Sequence, residues 1–278
     1  MSTWIIEPRD PLIVRDGRPF GPDPGVRAAS LPFPFPSTTT GAVRHKAGLH
    51  PGGDFDRSRI EEVMRLSVRG PLLVELDDSS DAITHWYAPA PADALVLDAQ
   101  QPSEGALDIR RLVPLELPEG TAMNLDGGLL PVGQPQRLPS KPSRSAPRFW
   151  RWKKFEHWLC DPQNMNAPPS EVGISGLEID WRMHVSIQPG QQTAVEGALF
   201  QTGGLVFTWR DPEAQRVGRL QTRRLALAVA SEGVFPHFSG GIAPIGGERR
   251  LAAWRRTDQP LPACPAGLAR AVAEERAC

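Results

Sequence analysis

Three stretches of this sequence hold residues whose types and spacing suit contact with an anion. The first combines Arg15-Asp16-Gly17-Arg18-Pro19-Phe20, Pro36-Ser37-Thr38-Thr39-Thr40-Gly41 and Arg44-His45-Lys46. A helix starting at the hydroxyl run offers unpaired N–H groups and the positive end of its dipole. Ser37, Thr38, Thr39 and Thr40 add donors, and Arg44 and Lys46 add charge further along. The same residues also suit a plain role, with Ser37 as the N-cap of a helix over about 38–49 and the threonines as packing. The second stretch is Ser239-Gly240-Gly241-Ile242-Ala243-Pro244-Ile245-Gly246-Gly247-Glu248-Arg249-Arg250. Its paired glycines let a backbone approach a ligand closely, and its arginines suit phosphate. It lacks the Gly-Lys-Ser/Thr ending of a nucleotide phosphate loop and the Gly-x-Gly-x-x-Gly of a dinucleotide site, and a turn explains it equally well.

The third stretch carries Arg137, Lys141, Arg144, Arg148, Arg151, Lys153 and Lys154, with no acidic residue from Gly127 to Phe155. Aromatics interleave with these cations, a pattern that suits a nucleic-acid backbone and stacked bases. The competing account is a surface helix that turns Phe149, Trp152 and Phe155 into the core, and for those three rings we prefer it. Catalytic patterns are sparse. His45 and His50 are five apart, not at the i, i+4 spacing of two ligands on one helix face. No Gly-x-Ser-x-Gly elbow occurs, and Asp77, Asp78 and Asp81 read as a solvated turn. A metal-free RNA cleavage with His45 as general acid/base and Lys46 beside it is the one catalytic arrangement the residues offer.

The elements that must position these residues follow from pattern. Trp4–Glu7 is a short β-prone run bounded by prolines, and Asp16-Gly17-Arg18-Pro19 is a turn signal. Residues 21–36 hold five prolines and read as extended chain. A second helix is expected over 59–66, a strand over 68–76 that Gly70-Pro71 makes an edge or bulged one, and a helix over 148–160. Strands over 182–187 and 194–201 flank Pro189-Gly190 as a hairpin, and further strands follow over 205–209, 225–230 and 251–255. Residues 266–276 read as a helix. Interleaved strands and helices over two similar lengths predict an α+β fold with two domains, 1–145 and 146–278, the division falling within 130–175.

Composition narrows the class. The chain has 278 residues, 40% hydrophobic and 23% charged, which describes a globular protein with room for a sizeable core. No apolar run approaches the roughly 18 residues of a membrane span. The N-terminus lacks the basic and apolar regions of a secretory signal, and three cysteines without C-x-x-C spacing argue against a disulfide framework or zinc site. A reducing cytoplasm is the expected location, with no metal or cofactor. The net charge of −1 argues against a protein that coats nucleic acid over its whole surface. It hides an asymmetry: residues 1–140 hold 13 basic and 19 acidic residues, and residues 141–278 hold 18 and 13.

Several of these stretches, in order, resemble one family. Trp4-Ile5-Ile6-Glu7-Pro8-Arg9-Asp10 through Arg15-Asp16-Gly17-Arg18-Pro19-Phe20 is similar to the opening of the third subunit of type III-B (Cmr) CRISPR effector complexes, a RAMP protein family. The likeness continues through Leu31-Pro32-Phe33-Pro34, Thr40-Gly41-Ala42-Val43-Arg44, Arg69-Gly70-Pro71 and Trp86-Tyr87-Ala88-Pro89-Ala90-Pro91-Ala92-Asp93. It resumes at Arg182-Met183-His184-Val185, Glu196-Gly197-Ala198-Leu199-Phe200 and Gly246-Gly247-Glu248-Arg249, covering about residues 3–255. The resemblance implies two ferredoxin-like, RRM-related domains. The second is expected to be incomplete, because family members continue beyond the point where this chain stops, at Cys278. It also implies a non-catalytic subunit that grips the 5′ handle of the CRISPR RNA and joins the large Palm-domain subunit to the adjacent backbone RAMP subunits. Target RNA would be met only through the complex, and no membrane is involved. Carried onto this chain, the RNA-binding residues are Arg15, Arg18, Ser37, Thr38, Thr39, Thr40, Arg44, Lys46, Gly240, Gly241, Gly246, Gly247, Arg249 and Arg250. A repeat-RNA endoribonuclease using His45 and a pure protein-docking module remain the alternatives.

Overall fold

The computed structural model describes residues 1–17, 27–50, 53–99, 106–126, 128–136, 140–162, 164–210, 222–233 and 240–276. The chain forms two compact units, Met1–Trp86 with Leu177–Leu261 and Tyr87–Gly176 with Pro262–Cys278. The units interleave along the chain because late strands return to pair with the first one; the sequence reading instead divides the chain once, near residue 145. The fold is α+β, and its sheets are mostly antiparallel.

In unit 1 the continuous apolar run Trp4-Ile5-Ile6 suits a strand covered on both faces. The strand Ser2–Pro8 takes that place, with Ile5 and Ile6 wholly inaccessible. It pairs antiparallel with Thr222–Glu232 on one side and Leu251–Thr257 on the other, so that Ile5 lies between Ala228 and Arg255. Ser67–Leu76 adds beyond Thr222–Glu232, and Gly241–Pro244 adds beyond Leu251–Thr257. Taken in chain order, the four long strands lie side by side as fourth, first, third, second.

Gly70-Pro71 does not make Ser67–Leu76 an edge, since the strand beginning at Ile83 lies on its far side. The expected bulge is present. The register shifts between Ala228 and Ala230, opposite Gly70-Pro71, where the N–H that Pro71 lacks is not needed. Gly70 has φ +106, and a Cβ there would lie 2.8 Å from the Ala228 carbonyl oxygen. Helix α1 (Pro36–Ala47) connects the first and second of the four strands and packs on Ser67–Leu76. Helix α2 (Ile60–Met64) follows, and Ala47, Val63 and Leu66 form a small core between the helices with Phe55 against it.

The expected hairpin is longer than its sequence signal, Glu178–Gln188 against Thr193–Val206, turning through Pro189-Gly190. Its strands alternate. Trp181, Met183, Val185 and Ile187 share one exposed face, while Arg182 pairs with Asp180 and His184 stacks on Phe200 on the other.

Unit 2 has its own core of Val96, Leu107, Ile109, Trp150, Trp158, Ala167 and Val172. A three-stranded sheet, Met165–Ala167, Leu107–Arg111 and Ala94–Asp98, supplies one side. The expected helix over 148–160 is corrected here: Phe149–Arg151 is a strand, and helix α3 runs only from Trp152 to Cys160. Strand geometry sends Trp150 fully inward, where it meets Trp158 of α3 edge-to-face at 5.6 Å. The indole N–H of Trp158 is satisfied by Asp93 Oδ1 at 2.9 Å.

One ion pair ties the unit 1 sheet together. Glu7 is buried, and Arg224 Nη2 donates to both its carboxylate oxygens at 3.1 Å, while Asp81 Oδ1 lies 2.8 Å from the same nitrogen. The hydrogen bond from Arg224 holds the Asp81 carboxyl below the usual carboxylate range. Replacing Arg224 by Gln strands the Glu7 charge, and the expected cost is about 3–5 kcal/mol of unfolding free energy by urea titration. Glu7→Gln in the same chain recovers part of that loss, and the single variant without a loss would refute the role.

Candidate nucleic-acid interface

Four backbone segments of unit 1 line a cleft of about 810 Å³. The first carries Val14 and Arg15. Leu12 and Leu205 exchange backbone hydrogen bonds of 2.8 Å, and Gly204 leaves the room this needs, since a Cβ there would lie 2.6 Å from Pro11 Cβ. The Val14 N–H donates to Ser30 Oγ at 3.2 Å, the Ser30 hydroxyl donates to the Gly203 carbonyl, and the Leu31 N–H donates to the Val14 carbonyl at 2.8 Å. Residues 14 and 15 are thereby held from both sides.

The second segment is the glycine-rich loop. Gly246, Glu248 and Arg249 have φ of +70, +56 and +51, so the chain turns sharply three times within four residues. Gly246 is required on two counts, its left-handed backbone and a Cβ position only 2.6 Å from the Ile13 carbonyl oxygen. That oxygen accepts the Gly247 N–H at 2.7 Å. The loop is therefore pinned directly onto the segment carrying Arg15, and Arg249, exposed, has no hydrogen bond or ion pair to another described residue.

The third segment is α1. Ser37 is not its N-cap: the helix begins one residue earlier, at Pro36, after an extended Phe35 that caps with no side chain. Proline at the first position needs no donor and already has a helical φ. Successive helix positions turn by about 100°, so four hydroxyls in a row cannot share a face. Thr38 lines the cleft; Thr39 is fully buried, its hydroxyl donating to the Pro36 carbonyl at 3.1 Å. Ser37 is exposed and Thr40 half-buried, and neither is among the lining residues. The helix face that does line it is Thr38, Gly41, Ala42 and His45, with Leu49 just beyond the helix.

The remaining expected residues are placed elsewhere. Arg44 Nη2 donates to the Leu66 carbonyl at 3.2 Å, which fastens α1 to the end of α2. Lys46 Nζ lies 5.8 Å from the centre of the Trp254 ring, and burial pushes its pKa down. Arg250 faces Glu248 at 3.8 Å, and Gly240 and Gly241 lie beside Trp254 across the sheet edge; none of the three lines the cleft. Arg18 lies outside the described residues. Of the fourteen residues expected, the structure brings together Arg15, Thr38, Gly246, Gly247 and Arg249.

Sequence reasoning missed the far wall. His45 stacks parallel on Phe55, ring centres 5.5 Å apart and planes at 4°, and Gly53 and Asp54 complete that side. Helical spacing from Thr38 could have found Gly41, Ala42 and His45. Phe55 arrives through a bridge to Leu49 that no local pattern announces. Two guanidiniums and one carboxylate line the cleft, together with backbone that glycine leaves accessible, an arrangement that can hold a polyanion. Among the described residues, no three His, Cys, Asp or Glu side chains gather to hold a metal ion, and no helix is long and apolar enough to cross a membrane.

No curated protein matches the chain. Two solved chains of type III-B Cmr-β complexes are similar over 93% of this chain. One comes from the complex bound to cognate target RNA and AMPPnP, in state 1, with 13% identity and a TM-score of 0.45. The other comes from the complex bound to cognate target RNA, with 15% identity and a TM-score of 0.46. The chain spans 64% of the length of each. The family model described as CRISPR-associated protein (Cas_Cmr3) matches residues 4–278, a span that contains the motifs from Trp4 to Arg249. The chain belongs to that family, the third subunits of type III-B Cmr complexes.

Proposed function

We propose that this chain is a non-catalytic, RNA-binding subunit of a type III-B effector complex, active in antiviral defence in the cytoplasm. It holds the 5′ handle of the CRISPR RNA and bridges the large Palm-domain subunit to the neighbouring backbone subunits. Target RNA meets it only through the complex. The observation that carries this reading is the unit 1 cleft, in which Arg15, Thr38 and the Gly246–Arg249 loop converge from distant parts of the chain. Glycine at 246 lets the loop close onto Ile13, which brings Arg249 to the cleft, and the guanidiniums of Arg15 and Arg249 supply charge for a sugar–phosphate chain. Unit 1 reads as a ferredoxin-like RAMP domain; the side-by-side strand order fourth, first, third, second, with α1 between the first two, supports this. Unit 2, with its own core, is read as the second domain.

The cleavage alternative lacks its second member in the cleft. His45 lines the cleft, but Lys46 is turned to Trp254. In a metal-free assay the wild-type chain and His45→Ala leave repeat RNA equally intact. Cutting by the wild type that His45→Ala abolishes would reverse this assignment.

Arg15→Ala with Arg249→Ala is expected to weaken handle RNA binding by the assembled complex by about 1.5–3 kcal/mol for each guanidinium removed. Arg44→Ala, whose guanidinium fastens two helices, lowers the melting temperature and leaves handle affinity nearly unchanged. The opposite pattern, read by filter binding and thermal unfolding, overturns the cleft. Gly246→Val leaves the strands paired but displaces the loop from Ile13. Circular dichroism stays unchanged while handle affinity falls at least as far as in the double arginine variant, and an unaffected affinity contradicts the role of the loop.

A further inference from the structure

The basic, acid-free stretch of unit 2 has no part in the cleft. From Gly127 to Phe155 the chain carries seven cations and no carboxylate. The structure divides those that are described. Lys154 lies 3.7 Å from Glu171, and Arg151 Nε donates to the Ser170 carbonyl at 3.2 Å, so both are committed to unit 2 itself. Lys141, Arg144, Arg148 and Lys153 are exposed, and no hydrogen bond or ion pair joins their side chains to another described residue. Among the described residues whose backbone bonds to this stretch, Asp98 carries a carboxylate, and its N–H donates to the Lys141 carbonyl at 3.2 Å.

Main-chain bonds hold the backbone at Lys141, Ser143 and Arg148. Ser143 donates to Val96 at 2.9 Å, Arg148 donates to Ile174 at 2.9 Å, and Ala90 donates to Arg148 at 2.8 Å. The Cα of Lys141 lies within about 10 Å of that of Arg144, and the Cα of Arg144 within about 14 Å of that of Arg148, because an extended chain reaches no further. Lys153 follows on the first turn of α3, next to Trp152. The Trp152 ring is half-exposed and packs at 45° on Phe155, which itself lies against the core. A row of unpaired cations ending at a partly open indole matches the needs of a single-stranded nucleic acid, which offers phosphates at intervals and bases to stack. An acidic protein surface would use the charges but not the ring.

We propose that Lys141, Arg144, Arg148 and Lys153 form a sequence-independent track on unit 2 for the backbone of single-stranded RNA, with Trp152 as its stacking platform. The proposal is independent of the unit 1 cleft. The cleft reads a handle, whereas the track responds to phosphate alone and adds affinity for any single strand.

The test uses the full chain and fluorescein-labelled oligouridylate, followed by anisotropy over a salt series. Lys141→Gln, Arg144→Gln, Arg148→Gln and Lys153→Gln together remove four phosphate partners, so the slope of log affinity against log salt becomes shallower by about 3. Raising salt from about 50 to about 200 mM then costs the wild type about 50-fold more affinity than it costs the variant. Should the fourfold variant melt early, the pair Arg144→Gln and Lys153→Gln is used, and about half the change in slope is expected. Equal slopes for wild type and a folded variant overturn the proposal. So does poly-L-glutamate binding that matches oligouridylate in strength and falls by the same factor, because the surface then recognises acidic chains generally. Failure of the cleft arginine variants to affect handle RNA leaves the oligouridylate slopes untouched, so the two readings fail separately.

Discussion

The candidate site depends on the close approach of the Gly246-Gly247 main chain to the Ile13 carbonyl. Its geometry admits no side chain at 246 and spends the Gly247 N–H on a bond to residue 13. The constraint propagates in both directions. Residue 12 is bonded in turn to Leu205, and Gly204 makes way for Pro11, so the segment carrying Arg15 is held between two glycine-lined partners. On the loop side, the left-handed residues Glu248 and Arg249 turn the chain so that Arg249 joins the cleft lining while Arg250 turns to Glu248. A rigid main-chain junction of this kind positions charged groups with less loss of side-chain freedom than a set of long ion pairs would require.

The helix imposes the second constraint. Four adjacent hydroxyls look like a dense donor cluster when written in a line, yet the turn per residue distributes them around the helix axis. One reaches the cleft, one is consumed by a backbone carbonyl, and the helical face that matters is Thr38, Gly41, Ala42 and His45, spaced three and four apart. Arg44 and Lys46, equally prominent in the sequence, serve the scaffold: one fastens α1 to α2, and the other lies over a buried indole.

Much of the scaffold was legible from local pattern. The buried first strand follows from Trp4-Ile5-Ile6, the bulge from Gly70-Pro71, and the hairpin from Pro189-Gly190, because each depends on steric preferences of a few adjacent residues. What was not legible depends on partners far away in sequence. Trp150 becomes a strand residue because it pairs with Gly173, and a Cβ at Gly173 would run into the Phe149 carbonyl; the helical stripe read across 149–159 could not reveal that. The interleaving of the two units follows from Thr222–Glu232 and Leu251–Thr257 returning to flank Ser2–Pro8. In the candidate site, the pair Gly246-Gly247 was legible because unusual backbone leaves a trace in composition. Phe55 and its stack with His45 were not, since an aromatic in a polar loop carries no directional signal.

The central claim is that RNA lies against α1 and the glycine-rich loop of unit 1. Photo-crosslinking of the purified complex to its bound small RNA, with mass spectrometry of the linked peptides, tests it most directly. The account predicts adducts on peptides spanning 38–49 and 244–250, with His45 among the modified residues. Efficient crosslinking of this chain with adducts absent from both peptides would contradict it.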